Sequence, residues 1–516
     1  MIARDGSQIS LWQDSMNEYQ STGNPVNNVI PGRYDVAIAG GGITGITLAW
    51  LLQQAGKKCI LLEAHTIGFG TTGGTTAHLN TLLDTPYTTI IKNFGKEEAA
   101  LVAQAARGAI GLIKKHIAQL SIDCGFEETP AYLFAQNEDQ DKELEAIHDA
   151  CHEVGVQTEL TGYIPIPRQF TTAMRIPAQA KFHPLEYVYA LARAFEKEGG
   201  VIVQQCRVTK SRDHSPVEIE TTQGRLQAAA LVYTTHIPPG INILHARCAP
   251  YRSYAMAVKL HDENYPKGLV YDMYDPYRYY RTQTVKGERY LIAGGEDHKT
   301  GENINTASCF LKLESHIRSH FDVASIAYRW SSQYFEPADG LPYIGLLPGA
   351  DNIYAATGFG GNGMIYSQVS AVLLRDLILK QDHLYRALFN PKRVKPVAGF
   401  SGFVSHNVHV IKEFAGKWFP HEELQEIAAL APGEGKVVTY EDQTLALYKD
   451  EKGSLHAVNP VCVHMKCSVH WNSAERTWDC PCHGARYTYT GEMVTGPASN
   501  DLEVIEVKSL AGEHRE

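Results

Sequence analysis

"RYDVAIAGGGITGITLAWLLQQAGKKCILLEA", from Arg33 to Ala64, decides the fold. Tyr34 to Ala39 is a short apolar run of the kind that forms a strand buried on both faces. Gly40, Gly42 and Gly45 follow in the pattern G-x-G-x-x-G, Ile43 to Ala55 carries helical spacing, and Cys59 to Leu62 reads as a second buried strand ending in Glu63. The first glycine permits a tight turn, the second lets backbone approach a pyrophosphate, and the third lets the helix pack on the strand. The free N–H groups of the helix's first turn, at Ile43 and Thr44, then hold a diphosphate with help from the helix dipole. Glu63 stands 18 residues after Gly45, where a carboxylate accepts the hydroxyls of a ribose and repels a 2′-phosphate; Ala64 beside it completes the expected contacts. Strand, glycine turn, helix, strand and acid in this order predict a βαβ dinucleotide site.

Two further glycine-rich stretches favour FAD over NAD. "GFGTTGGTTAHLN" (Gly68 to Asn80) comes directly after the acid-bearing strand, where a longer cofactor is wrapped. "NIYAATGFGGNGM" (Asn352 to Met364) repeats the glycine pattern at Gly358, Gly360 and Gly363, with Gly361 between and Met364 after, ahead of an apolar helix. No strand and acid follow it, so it is not a second nucleotide unit. Its helix N-terminus is expected to face the flavin ring, where its positive end favours the charge that builds on reduction.

Residues from about 33 to 380 resemble the FAD-dependent amine and amino-acid oxidoreductases of the D-amino acid oxidase, glycine oxidase and sarcosine oxidase kind. The matching pieces are the two stretches above, "GGVIVQQCRVTKS" (Gly199 to Ser211), "ERYLIAGGEDH" (Glu288 to His298) and "RWSSQYFEPADGLPYIG" (Arg329 to Gly345). "SLWQDS" (Ser10 to Ser15) looks like the lead-in of the γ-glutamylputrescine oxidoreductase branch. The resemblance implies an α/β Rossmann-type FAD domain interleaved with an α+β substrate domain. It implies Val208 backbone against adenine, with Thr71, Thr72, Thr76 and Ala77 near the diphosphate and ring. His78 next to them is expected as a ring contact, with a covalent flavin bond as the alternative. The implied reaction removes a hydride from a carbon next to an amine nitrogen, which needs orientation more than acid–base groups.

Amino-acid-using relatives carry an arginine where Tyr334 stands, forked onto the substrate carboxylate. A tyrosine there places a free α-amino acid in doubt. Arg278 and Arg281 in "DPYRYYRTQ" are candidate replacements, and Tyr251 and Tyr254 in "YRSYAMAV" are candidate pocket walls. Tyr254, Arg281 and Tyr334 are therefore the candidate substrate contacts.

"CVHMKC" (Cys462 to Cys467) and "CPCHGARY" (Cys480 to Tyr487) lie in a C-terminal stretch of short alternating strands. Cys462-x-His464 and Cys480-x-x-His483 form two mixed Cys/His pairs, where zinc loops more often pair like with like. Mixed pairs suit a [2Fe–2S] cluster with both thiolates on one iron and both imidazoles on the other. Residues from about 421 to 511 resemble a Rieske domain, and its cytochrome bc type implies a disulfide between the remaining pair, Cys467 and Cys482. High-potential relatives have a serine where Ala485 stands but share Tyr487, which implies a potential below the top of the Rieske range.

The expected order is thus a lead-in (1–32), an FAD-dependent oxidoreductase (33–389), a bridge (390–420) and a small all-β Rieske domain (421–516). The chain has 516 residues and a net charge of −10 with no Lys/Arg-rich run, which argues against a nucleic-acid surface. The apolar stretch Val36 to Leu52 is broken by glycines, the start carries no basic-then-apolar signal, and six cysteines lie singly; a cytoplasmic protein that does not span a membrane is expected. The expected function is oxidation of an amine or N-substituted amino acid, with electrons leaving flavin through the cluster to a carrier such as a ferredoxin or quinone. The histidine edge of the cluster, His464 and His483, is expected to be the exposed exit or entry point for electrons. Two alternatives stay open: a flavin monooxygenase fed by the cluster, and a redox-sensing protein without turnover.

Overall fold

Arg33–Ala39 runs parallel to Cys59–Leu62 on one side and to Gly224–Tyr233 on the other. Val201–Val203 and Ile353–Thr357 extend the parallel sheet, and Tyr343–Leu346 closes one edge antiparallel. Strands buried on both faces need no alternation, and Cys59 to Leu62 is buried at every position. The helix after the glycine turn spans Ile43–Gln54 and is buried without break from Ile43 to Leu52. It is apolar all round because it lies between the sheet and two other helices, Pro184–Lys197 and Gly363–Ile378.

The computed structural model describes residues 4–21, 32–302, 305–394, 422–423, 430–440 and 443–506. The bridge expected at 390–420 lies, after Val394, outside the described residues. No helix among the described residues is long and apolar enough to cross a membrane.

A second, nine-stranded sheet forms the substrate half. Its long strands Cys248–Leu260, Glu288–Lys299 and Val323–Pro337 pair antiparallel, with Tyr251 opposite Tyr334 and Ser253 opposite Ser332. The chain crosses between the two sheets several times, which is the interleaving expected from the sequence. A cleft opens where the parallel strands end, the usual place for a ligand in such sheets.

The C-terminal part is all-β, a five-stranded and a four-stranded sheet. Asp450 shapes the turn between Gln443–Lys449 and Leu455–Val458, its carboxylate accepting from the N–H groups of Lys452 and Ser454. The two cysteine loops are built alike. The N–H of Cys462 donates to Cys467 O at 2.8 Å and that of Cys480 to Ala485 O at 2.8 Å. Lys466 and Gly484, each four residues after its cysteine, adopt positive φ of 64° and 74°.

The lead-in is not a separate piece. The helix Leu11–Ser15 grips the Gly68–Thr76 loop, Trp12 donating to Thr75 O at 2.6 Å and Gln13 to Phe69 O at 3.1 Å. Ahead of it, Arg4 and Asp5 enter a buried charge cluster with Arg252 of the substrate sheet and Glu475, Asp479 and Arg486 of the C-terminal domain, all at most 2% exposed. Arg486 reaches Asp5 at 3.5 Å and Asp479 at 3.2 Å, and Arg252 lies 3.6 Å from Asp479. Glu475 accepts from the N–H of Ser7 at 2.7 Å and of Ser331 at 3.0 Å. Three charges of each sign satisfy one another where three parts of the chain meet. The arginines outweigh the desolvation that opposes them and hold Asp5 and Asp479 below the usual carboxylate range.

Candidate active site and cluster site

The diphosphate end of the cleft is built by contacts too close for side chains. Gly40 has φ +112°, and a Cβ there would lie 2.7 Å from Thr234 O. A Cβ on Gly45 would lie 2.0 Å from Gly40 O, so the third glycine serves helix packing, as the pattern requires. Thr72 Oγ1 accepts from the N–H of Ile43 at 3.0 Å, so that N–H is not the free donor expected from the sequence. The Glu63 carboxylate accepts from the N–H groups of Gly41 at 2.6 Å and His65 at 2.8 Å, which fixes it at the cleft wall with lone pairs to spare for hydroxyls. Burial pushes its pKa up while those N–H groups pull it down.

Of the predicted cofactor residues, Gly40, Gly42, Ile43, Thr44, Glu63, Ala64, Thr71, Thr72, Thr76, His78, Val208, Gly360, Gly361, Gly363 and Met364 line this one cleft. Gly45, Ala77 and Gly358 do not. Ala77 is fully buried at φ +55°, and Gly358 packs on Cys248, Pro337 and Tyr343. The residues present fit FAD: the glycine turn and Thr72 at the diphosphate, Glu63 at the ribose, and Gly360 to Met364 at the ring.

The ring end holds acids and tyrosines. Asp84 accepts from the N–H of Gly361 at 2.8 Å, and a Cβ on Gly361 would come within 2.3 Å of that carboxylate. Asp297 accepts from Ser253 Oγ at 2.6 Å and Tyr334 OH at 2.9 Å. Tyr271, Tyr277 and Tyr279 line the same end. His78 Nδ1 lies 2.6 Å from Tyr271 OH, which accepts from Asn80 Nδ2 at 2.8 Å. His78 Nδ1 and Tyr271 OH share a hydrogen bond, and His78 Nε2 is a buried atom with no hydrogen-bond partner among the described residues. Burial, then the Arg281 and Lys181 charges, hold His78 well below its ordinary pKa. Burial pushes Asp297 up to about 7 and Asp84 up to about 6. Among the described residues no cation pairs with either, and the one arginine on the cleft wall, Arg207, is beside Val208 at the adenine end.

Three candidate substrate contacts need correcting. Alternation puts Ser253 and Ala255 on the cleft wall and turns Tyr254 to the other face, where it is fully buried and its OH lies 3.0 Å from His298. Arg281 is fully buried, its guanidinium spent on the carbonyls of Thr76 at 2.9 Å, Ala77 at 2.6 Å and Phe182; it shapes the flavin loop from behind. Arg278 pairs with Glu296 at 2.8 Å. Tyr334 does line the cleft, and Tyr251 stacks on it at 5.8 Å from outside the lining. Asp84, Asp297 and the three tyrosines escaped the sequence reading. The dense run "YDMYDPYRYYR" (Tyr271 to Arg281) was the available signal, and its arginines drew attention from its rings.

In the C-terminal domain the sulfurs of Cys462 and Cys480 are in contact and the rings of His464 and His483 lie 5.0 Å apart at 85°. Cys467 and Cys482 form the expected disulfide. Sγ atoms of Cys467, Cys480 and Cys482 also cluster within 4.8 Å, but two of these are bonded to each other and cannot serve as thiolate ligands. His464 Nε2 donates to Gly240 O at 3.0 Å, which leaves a lone pair on Nδ1, buried and without a partner among the described residues. The two thiols touch, the two imidazoles lie side by side on the same two loops, and His464 Nδ1 keeps a free lone pair; this donor set fits a Rieske cluster. Tyr487 OH lies 3.2 Å from Cys462 Sγ.

The histidine edge is not the exposed exit expected from the sequence. It is docked on the oxidoreductase half. His483 is 3% exposed. The ring of His245 packs edge-on to His464 at 4.7 Å and tilted against His483 at 5.6 Å. Gln333, a cleft-lining residue, donates to Gly484 O at 2.9 Å. The turn from Met493 to Ser499 also reaches the cleft wall.

Residues 35–377 match the family described as FAD dependent oxidoreductase, and residues 417–507 match the Rieske [2Fe-2S] domain. The chain belongs to the FAD-dependent oxidoreductase family, binds FAD, and carries a C-terminal Rieske domain with a [2Fe–2S] cluster. Among its relatives is the protein YhfW of Bacillus subtilis strain 168, named as a Rieske 2Fe-2S iron-sulfur protein, 35% identical over 477 residues covering 92% of this chain and 93% of the relative. γ-Glutamylputrescine oxidoreductase of Escherichia coli K12 is 24% identical over 69% of this chain and 86% of its own. The crystal structure of glycine oxidase from Geobacillus kaustophilus superposes with a TM-score of 0.58 at 20% identity, over 70% of this chain and 99% of that one.

Proposed function

We propose that this chain oxidises a small cationic amine and passes the electrons singly through its own cluster to an external carrier. The observation that carries the reading is the hydrogen bond from His464 to Gly240, because Gly240 adjoins Pro239 on the wall of the FAD cleft. Bound FAD supplies a hydride acceptor and the cluster a one-electron relay.

The protein's part is to hold the amine. Asp297, with no cation of its own, offers its carboxylate to an ammonium, and Tyr334 and Ser253 fix the orientation of that carboxylate. Tyr271, Tyr277 and Tyr279 give the ring faces on which alkylammonium groups bind. Among the described residues a substrate carboxylate finds no arginine or lysine there and two like charges, so a free amino acid is disfavoured. A carboxylate with a pKa near 7 can also take the ammonium proton, leaving the neutral amine from which a hydride departs. The similarity to γ-glutamylputrescine oxidoreductase agrees with an amine.

The test is anaerobic. Amines are added to the FAD- and cluster-loaded protein while the flavin and cluster absorbances are followed. Flavin bleaching followed by cluster reduction is the expected result. Bleaching with a cluster that never responds overturns the relay, and bleaching by amino acids in preference to amines overturns the substrate class.

A further inference from the structure

The cleft that takes FAD is not closed by the oxidoreductase half alone. Met493, Val494, Thr495, Gly496, Ala498 and Ser499 of the Rieske domain form part of its wall. The turn is tied to the residues flanking the two adenosine contacts. His65, two residues after Glu63, donates from Nε2 to Val494 O at 3.2 Å. Arg207, just before Val208, donates to Met493 O at 3.0 Å. Thr495 Oγ1 is buried on this wall and has no hydrogen-bond partner among the described residues. A buried hydroxyl without a partner is costly, and the cleft is where one can be supplied.

We infer that the Rieske turn 493–499 is part of the FAD site, closing over the adenosine half of the cofactor with Thr495 as a hydrogen-bonding contact. The cluster domain thereby holds the flavin in place as well as exchanging electrons with it. Binding and docking are then coupled, and the coupling is reciprocal: FAD tightens the Rieske turn onto the cleft, and the turn slows FAD loss.

The test uses the full chain with its cluster loaded. Thr495→Val keeps the shape and removes the hydroxyl. FAD release on dilution, read by flavin fluorescence, is expected to become easier when that one contact is lost, so the variant's dissociation constant rises roughly three- to ten-fold. An unchanged cluster spectrum in the variant shows that the domain is folded. Independently, hydrogen exchange at 493–499 is measured in wild-type protein with and without FAD, and FAD is expected to slow it. A raised dissociation constant upholds the Thr495 contact, and slowed exchange upholds the turn as part of the site. A wild-type dissociation constant in the variant together with FAD-independent exchange overturns both. No amine is present in either measurement, so the result is independent of the substrate reading.

Discussion

His464 donates its Nε2 proton to the carbonyl of Gly240 at 3.0 Å. This bond joins a cluster ligand to a loop whose preceding residues, Thr235, His236, Ile237 and Pro239, line the flavin cleft. A Rieske domain has one edge suited to exchanging electrons, and here that edge faces inward.

His245 packs against both ligand imidazoles at this contact. His245→Ala is expected to leave amine-driven flavin bleaching at its wild-type rate and to delay cluster reduction, so that two events nearly simultaneous in the wild type separate in time. Anaerobic stopped-flow at a flavin and a cluster wavelength checks this.

Asp297→Asn keeps the hydrogen bond from Ser253 and removes the charge. A charged hydrogen bond contributes about 1.5–3 kcal/mol, so amine affinity is expected to fall roughly ten- to a hundred-fold. Tyr334→Phe removes one donor to the same carboxylate and is expected to cost about 1 kcal/mol. Both are read from flavin spectral titrations with a slowly reacting amine.

Burial raises Asp297 to about 7, so below that pH it is mostly neutral. Amine binding is therefore expected to weaken as pH falls from 8 towards 5, approaching about tenfold per pH unit at the acid end. Binding should release a proton near pH 7, and Asp297→Asn should flatten the profile. For folding the sign is opposite: a raised carboxylate pKa favours the native state at low pH, and that stability is lost as pH rises through 7. The amine-free protein should thus gain more from added amine at pH 8 than at pH 5.5, as thermal shifts in calorimetry would report.

Tyr487 lies beside Cys462 sulfur, while Ala485 has no hydroxyl to offer the cluster. Hydrogen bonds to the sulfurs favour the more negative, reduced form. The midpoint potential is expected below the upper end of the range of about −150 to +300 mV, lower again in Tyr487→Phe and higher in Ala485→Ser. Redox titration followed by electron paramagnetic resonance decides each.

Arg486 is fully buried between Asp5 and Asp479. Breaking a buried ion cluster from one side leaves charge uncompensated and costs about 3–5 kcal/mol. Arg486→Met is expected to lose that much stability in denaturant unfolding of the loaded protein, with the Rieske domain parting first.

The βαβ unit was legible because its constraints are local: glycine positions, apolar runs and an acid at fixed spacing. The cluster ligands and the disulfide were legible for the same reason, since each loop brings its own ligands together. The substrate wall was not. Whether Tyr254 or Ser253 faces the cleft depends on the register of a strand against partners about 40 and 80 residues away, and neither composition nor spacing carries that phase. Arg281 misled because a cation in a tyrosine-rich strand looks like a ligand contact, whereas three backbone carbonyls from elsewhere in the chain use it up. The inward-facing histidine edge was hidden because it depends on how two domains meet.

Ser7 and its partner Glu475 are 468 residues apart. On a ribosome adding 5–20 residues per second, the lead-in waits roughly 25–90 s for the carboxylate that will hold it. The buried charge cluster that Arg4 and Asp5 enter cannot be completed before Asp479 and Arg486 have been made. The joint between Ser7 and Glu475 therefore closes only after most of the iron centre's own domain has been made.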